Sequence, residues 1–428
     1  MAATFRSLRE RNYRLWFAGS LASNVGTWMQ RTAQDWIVLT ELTDNDATAV
    51  GITMALQFGP QLLLAPYAGL LADRFPKRRL LLCTQIASGV LALGLGLLVV
   101  SGTAQLWMVY CFALALGVVA SLDAPARQSF VSEIVDRELL SNAIALNSTS
   151  FNSARLVGPA IAGLLTVAVG AGPVFLINAA TFAFTIVALV AMRGGELHPA
   201  PRQPRARGQI REGLRYVAGR PDLIAVLVAI FVFGMLGLNF AIFTSTMATI
   251  GFGLQADAFG LLNSVIAIGS LSGALVAARR THARFRSFIV SLVAFGVFCA
   301  IAAAMPWYWL FAIALVPVGF CSITAMNTAN ALVQERIDPA VRGRVMALYM
   351  AILMGGTPIG APLMGWFVEL VGPRWTLAIG GASGVVAALL AIAILRRAGQ
   401  VRWRDFPWLH RPPHDEPVVP DDRAVNPD

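Results

Sequence analysis

The sequence is poor in charge. Charged residues make up 13% of the chain and hydrophobic ones 57%, with a mean hydropathy of +0.67. An ordinary soluble domain carries about 25% charged residues, so a soluble globular chain is excluded first. Lysine is almost missing: Lys77 is the single one, and Arg78 follows it. A phosphate-binding loop needs Gly-Lys-Ser/Thr, so the chain has no such nucleotide site. Uphill work would have to draw on an ion gradient or a separate ATPase. Cysteine and histidine are scarce as well. Cys83, Cys111, Cys299 and Cys321 all fall in apolar runs and read as small packed residues. No histidine stands at metal-ligand spacing from a cysteine. No cofactor is expected. Without paired carboxylates, histidines or a metal cluster inside the apolar runs, an enzyme reading has no support.

The apolar residues form long uncharged runs. No charge occurs between Asp46 and Asp73, Arg79 and Asp123, Arg155 and Arg193, Asp222 and Asp257, Asp257 and Arg279, Arg286 and Glu335, Arg344 and Glu369, or Arg374 and Arg396. A membrane-spanning helix needs roughly 20 apolar residues, and the runs after Arg79, Arg155 and Arg286 are long enough for two. Turns at Ser101–Gln105, Val169–Pro173 and Ala303–Trp307 divide them. With a more polar first span, from Arg14 to Thr40, twelve spans are predicted. All Lys and Arg except Arg31, Arg155 and Arg374 fall in the tails or in alternate connections. By the positive-inside rule both termini are then cytoplasmic, in a multi-pass protein of the cell membrane. The net charge of +10 is this same bias beside an anionic leaflet and calls for no nucleic-acid partner. The basic start, "MAATFRSLRERNYR", precedes a run too long and polar for a cleavable signal.

The expected organisation is a six-span half over residues 1–192, a linker over 193–221, a second half over 222–397 and a tail over 398–428. The linker is rich in Pro and Arg. Its segment Ile210–Val217 sets Ile210, Leu214 and Val217 against Arg211 and Arg215, as in a short interfacial helix. The tail, with Pro and mixed charges, is expected to be disordered.

The halves repeat. Ser129–Asn147 aligns with Ala331–Tyr349 at an offset of 202 residues, and internal repeats of this kind are typical of transporters. Val131, Glu133, Asp136, Ala145 and Leu146 match Val333, Glu335, Asp338, Ala347 and Leu348. Gly158 and Gly163 likewise match Gly360 and Gly365. The stretch "GLLADRFPKRR" has a weaker echo in Ser272–Arg280, where Ala277 replaces Asp73.

These motifs resemble those of the major facilitator superfamily. "GLLADRFPKRR" is similar to its loop motif between spans 2 and 3. "RLVGPAIAG" (Arg155–Gly163) is similar to the span 5 motif of its drug/proton antiporters. The wider pattern "DAPARQSFVSEIV…NAIALNS…NSARLVGPAIAGLL" resembles the branch with enterobactin and macrolide exporters. The resemblance covers about residues 10 to 400 and implies an all-α fold of twelve transmembrane helices in two six-helix pseudo-repeats. Two departures stand out. Pro76 occupies a usual Gly position, and Trp107 to Leu122 lacks the antiporter arginine of span 4.

Asp73 closes span 2, where a carboxylate opposes its own helix dipole and so calls for another partner. Arg74, Lys77 and Arg78 are candidates, as is the start of a neighbouring helix. The resemblance implies the latter, at span 11 near Arg342–Arg344, with Gly69 allowing close approach. Gly69, Asp73, Arg74, Lys77 and Arg78 would then form a conformational latch; the plainer reading is a charged loop that sets topology. In span 1, Ser20, Asn24, Thr27, Arg31 and Gln34 share a helical face, and Arg31 stands four residues from Asp35. Asp35 is the one acid placed well inside a predicted span. Charged residues there normally face a cavity and serve function. Asp35 is therefore expected to carry a coupling proton with Arg31 as its partner, against a permanent ion pair or a headgroup position. Arg155 can balance Asp35, attract an anionic group or sit at the entrance of span 5. Gly158, Pro159 and Gly163 allow tight packing and a bend. Further cavity candidates are Trp28, Gln57, Gln61, Asn147, Asn152, Asn239 and Asn263, with Met346, Met350 and Met354 as an adaptable wall.

The reading that follows is export of a small, largely apolar molecule such as a drug, antibiotic, siderophore or other secondary metabolite, in exchange for protons. The partners are membrane lipid, the small-molecule substrate and protons, and the protein is expected to be a monomer. The export direction comes from the resemblance. Uptake by symport or facilitation, and a sensor on a transporter scaffold, are the alternatives.

Overall fold

The computed structural model describes residues 3–136, 138–197, 209–278, 283–338 and 341–399. These residues form helices and no strand. The first half comprises α1 (Arg11–Thr40), α2 (Ala47–Arg74), α3 (Lys77–Val100), α4 (Leu106–Ile134), α5 (Leu140–Val169) and α6 (Ala171–Val190). A linker helix, α7 (Gln209–Ala218), leads to α8 (Pro221–Val232) and α9 (Phe240–Thr246), which form one broken crossing. Then come α10 (Ala256–Ala278), α11 (Phe285–Ala304), α12 (Tyr308–Arg336) and α13 (Arg342–Arg397).

Among the described residues, ten segments are long and apolar enough to span a membrane. The last covers two crossings, because α13 turns at Gly372, whose φ is 82°. Gly170 makes the same turn between α5 and α6 with φ 85°. Both glycines take a conformation that disfavours side chains. The polar α1 completes twelve crossings. Trp107, Trp307, Trp309 and Trp375 are all exposed at the end opposite the basic connections, as an interfacial aromatic belt requires. The two ends are called here the basic end and the far end.

The halves share a core only toward the far end. One buried cluster joins Met29, Ile37, Val38, Val50 and Met54 to the second half, including Phe259, Leu262 and Met364. A separate cluster of Tyr13, Trp16, Leu81, Phe130, Ile134 and Leu189 lies at the basic end of the first half. Glycine brings the seam helices together. A Cβ on Gly163 would lie 2.6 Å from the Ala256 carbonyl, and one on Gly365 2.7 Å from Thr48 Cα. Ser264 Oγ donates to the Leu156 carbonyl at 2.7 Å, and Thr48 Oγ1 donates to Glu369. These contacts of α2 with α13 and of α5 with α10 run from the far end to mid-depth. Toward the basic end the same four helices leave Leu63, Tyr67, Ile144, Phe151, Leu271, Leu275, Met350 and Met354 exposed. Among the described residues, the hydrogen bonds and close glycine contacts between the halves all lie from the far end to mid-depth, so the interior is closed at the far end and open at the basic end.

Candidate functional site: a ring between two guanidiniums

The closed end of this interior is built on α1. Thr185 Oγ1 donates to the Gly19 carbonyl at 2.9 Å, and Asn178 Nδ2 donates to Gln30 Oε1 at 2.6 Å. These bonds fix one face of α1 on α6. On another face, α5 comes close at Gly158, where a Cβ would lie 2.7 Å from Trp28 Cβ. Pro159 and Gly163, one turn on, carry the contact across to α10. The span 5 motif therefore positions Trp28 and closes the seam.

Trp28 is the centre of the site. The Arg31 guanidinium lies 5.2 Å from its ring centroid and that of Arg155 5.7 Å. Arg31 also lies 5.0 Å from the Phe58 ring of α2. Phe151 meets Trp28 edge-on at 5.9 Å. Such cation–ring contacts contribute about 0.5–2 kcal/mol each. Among the described residues, neither guanidinium has a hydrogen-bond acceptor or an ion pair at contact distance. Asp35 is 7% exposed, one turn beyond Arg31, and the two interact through space. The contact ion pair allowed by the spacing is not formed, because Arg31 lies over the rings instead. Asp35 accepts no hydrogen bond among the described residues.

The remaining polar candidates have varied surroundings. Asn24 Nδ2 reaches Ser150 Oγ at 3.4 Å. Gln34 is fully buried, with both amide ends unpartnered. Gln57 is buried, and Gln61 donates to its carbonyl at 3.4 Å. Asn239 sits where the seventh crossing breaks. Its Nδ2 donates to the Met235 carbonyl at 2.7 Å while its Oδ1 is unpartnered. Asn263 Nδ2 likewise serves the Phe259 carbonyl at 3.2 Å. Met350 is exposed on the open part of α13.

The loop motif is engaged within the first half. Lys77 pairs with Glu133 of α4, and Arg78 donates to the Leu189 and Val190 carbonyls at 2.9 and 3.0 Å. Arg78 thereby caps the C-terminus of α6. Arg74 is exposed on the last turn of α2. The side chains of Asp73 and Arg342–Arg344, and the surroundings of Gly69, lie outside what is described, as does the chain after Gly399.

One charged group escaped the sequence reading. The positive-inside pattern assigns Arg127 to a connection, but α4 continues to Ile134. Asp123 Oδ2 accepts from Arg127 Nε at 2.7 Å. Its other oxygen accepts from Thr84 Oγ1 at 2.7 Å and Gln85 Nε2 at 2.8 Å. Arg127 also donates to Ser20 Oγ at 3.3 Å and covers the Trp16 ring at 5.3 Å. The i,i+4 spacing of Asp123 and Arg127 was the available signal. Pro125 between them obscured it by marking a helix end.

A family model described as transmembrane secretion effector matches residues 2–419. The chain belongs to that family. The chain is 23% identical over 384 residues to the staphyloferrin A transporter of Staphylococcus aureus, covering 89% of this chain and 96% of that protein. It is 24% identical over 360 residues to the enterobactin exporter EntS of Shigella boydii, covering 83% of this chain and 85% of that one. Its fold is shared with a bacterial homologue of the human lysosomal transporter Spinster in an inward-facing, unoccupied conformation. There the TM-score is 0.70 at 13% identity, over 92% of this chain and 98% of the other. A nucleoside transporter gives a TM-score of 0.71 at 11% identity, covering 90% and 99%. The protein is thus a multi-pass membrane transporter of the major facilitator type, not an enzyme.

Proposed function

We propose that the protein exports a small organic molecule from the cytoplasm across the cell membrane in exchange for protons. The observation that carries this reading is the interior open at the basic end and closed beyond Trp28, Arg31 and Arg155. The positive-inside rule assigns the basic end to the cytoplasm, so the opening faces a cytoplasmic substrate. The names of the staphyloferrin A transporter and the enterobactin exporter support the same class of task. Asp35 is the proposed proton carrier. It is a nearly buried carboxylate without a hydrogen-bond partner among the described residues, one turn from a cation, and acids in that setting serve proton relays. Gly69, Asp73 and the cations after it are the proposed latch, holding the basic end shut in the opposite state.

The test is accumulation of a panel of lipophilic dyes, antibiotics and organic acids in cells lacking their main efflux pumps. Wild type is expected to lower accumulation of at least one compound, and a protonophore to restore it. Asp35→Asn should abolish the proton-driven part, a loss of about tenfold or more for an essential proton carrier. Unchanged export by Asp35→Asn would make the carboxylate structural. No compound moved at matched membrane expression would sink the exporter reading.

A further inference from the structure

The site contains more positive charge than its protein neighbours balance. Arg31 and Arg155 approach one indole, at 5.2 and 5.7 Å from its centroid, close enough to repel one another. Both guanidiniums are half-buried; an arginine cannot relieve partial desolvation by losing its proton, and an anionic acceptor offsets it through charge-assisted hydrogen bonds. Asp35 supplies one negative charge without contacting either guanidinium, which leaves the site at net +1 when Asp35 is ionised. Another charged pair of the first half, Asp123 and Arg127, is closed on itself at 2.7 Å. The planar faces of Trp28, Phe58 and Phe151 border the same guanidiniums. Lysine contributes nothing to this interior, since Lys77 is held by Glu133 at the basic end.

We infer that Arg31 and Arg155 form an anion clamp around Trp28, and that the transported molecule is an aromatic acid. Its carboxylate takes the fork of N–H donors that no acceptor among the described residues fills, and its ring packs among Trp28, Phe58 and Phe151. Guanidinium suits this task because it binds carboxylates through paired donors while stacking on rings. This revises the sequence-level expectation of a largely apolar substrate. It rests on the reading of this interior as the transport site, and not on the choice of coupling ion. An anion leaving a cell with a negative interior also gains from the membrane potential.

The test is equilibrium dialysis with the full-length protein in nanodiscs of zwitterionic lipid. The probes are 2-naphthoate, its neutral primary amide and 2-naphthylmethylammonium, which share one ring system and differ in charge. Naphthoate is expected to bind about tenfold or more tightly than the amide, with the ammonium weakest, as charge-assisted hydrogen bonds imply. Arg31→Gln and Arg155→Gln should each remove about tenfold or more of naphthoate affinity and leave amide binding little changed. Trp28→Leu should weaken both probes together. If a Gln variant does not elute as a folded monodisperse species, the Lys variant replaces it, keeping the charge and losing the planar fork; a several-fold loss is then expected.

Equal binding of amide and naphthoate, tighter binding of the ammonium, no saturable naphthoate binding, or naphthoate affinity untouched by either arginine variant would each overturn the clamp. Failure of the exporter reading has a different signature: naphthoate binds with the expected arginine dependence, but no gradient drives it across proteoliposomes.

Discussion

The two halves use one helix plan, but only the first sets charged side chains well inside its crossings. In the first half α1 carries Arg31 and Asp35, α4 carries Asp123 and Arg127, and α5 adds Arg155. The crossing of the second half that corresponds in order to α1, from Leu223 to Gly251, has no charge at all. It is broken by π-turns at Phe233–Gly237 and Met247–Gly251. Its one conspicuous amide, Asn239, serves the loosened backbone. Closure is shared, because equivalent glycines on α5 and α13 each meet the other half. Recognition is not shared. A repeat can build a symmetric hinge while the site stays on one side, since helix packing depends on small residues at fixed spacing and a buried charge depends on what surrounds it.

The comparison can be broken at its equivalent residues. The largest stability effect is expected at Glu133, whose pairing with Lys77 leaves both side chains nearly buried, at 10% and 13% exposure. Glu133→Gln strands that cation, and removing one partner of a buried pair typically costs about 3–5 kcal/mol. Thermal unfolding in detergent should show it as a clear fall in Tm. A change indistinguishable from wild type would mean the pair is solvated.

A second prediction treats the halves as equal. Gly163→Ala and Gly365→Ala each press a Cβ into the backbone of the opposite half, an overpacking of about 1–3 kcal/mol that acts only where the far end is closed. Both should cut transport by about tenfold, roughly 1.4 kcal/mol. Gly59→Ala, whose Cβ would meet nothing within 4 Å, should transport like wild type. Loss at only one of the two seam glycines would show that the halves do not close as equivalent surfaces.

The smallest effect is expected at Glu335, the repeat partner of Glu133. It is exposed and, among the described residues, accepts only from the Ala283 backbone N–H, at 3.1 and 3.3 Å to its two oxygens. Glu335→Gln should therefore cost about 1 kcal/mol or less, and the difference in Tm between the two variants measures how far the repeats have diverged. Equal losses would place the two acids in equivalent roles.

Much of the fold was legible because it is written in composition and period. The charge-free runs predict helices because a bilayer leaves backbone groups no other partner. The repeat of Gly158–Gly163 and Gly360–Gly365 anticipated matching contacts, whereas that of Glu133 and Glu335 did not carry over to their partners. The end of α4 was not legible. A proline and an arginine, taken alone, signal a loop, and only packing against Thr84, Gln85, Ser20 and Trp16 makes that turn of helix favourable. The site was half legible. Spacing placed Arg31 and Asp35 one turn apart, yet it held no information about which neighbour Arg31 would choose.

The sequence by itself determined the twelve crossings, the internal repeat and the polar face of α1, since each follows from local residue order and the demands of a membrane. Only the tertiary structure decided that Arg155 of α5 and Arg31 of α1 approach the same indole. That meeting depends on Gly158, which lets two helices distant in sequence come within a side chain's reach. It also depends on the absence, among the described residues, of any acceptor around the two cations. No one-dimensional pattern records what a charge fails to touch.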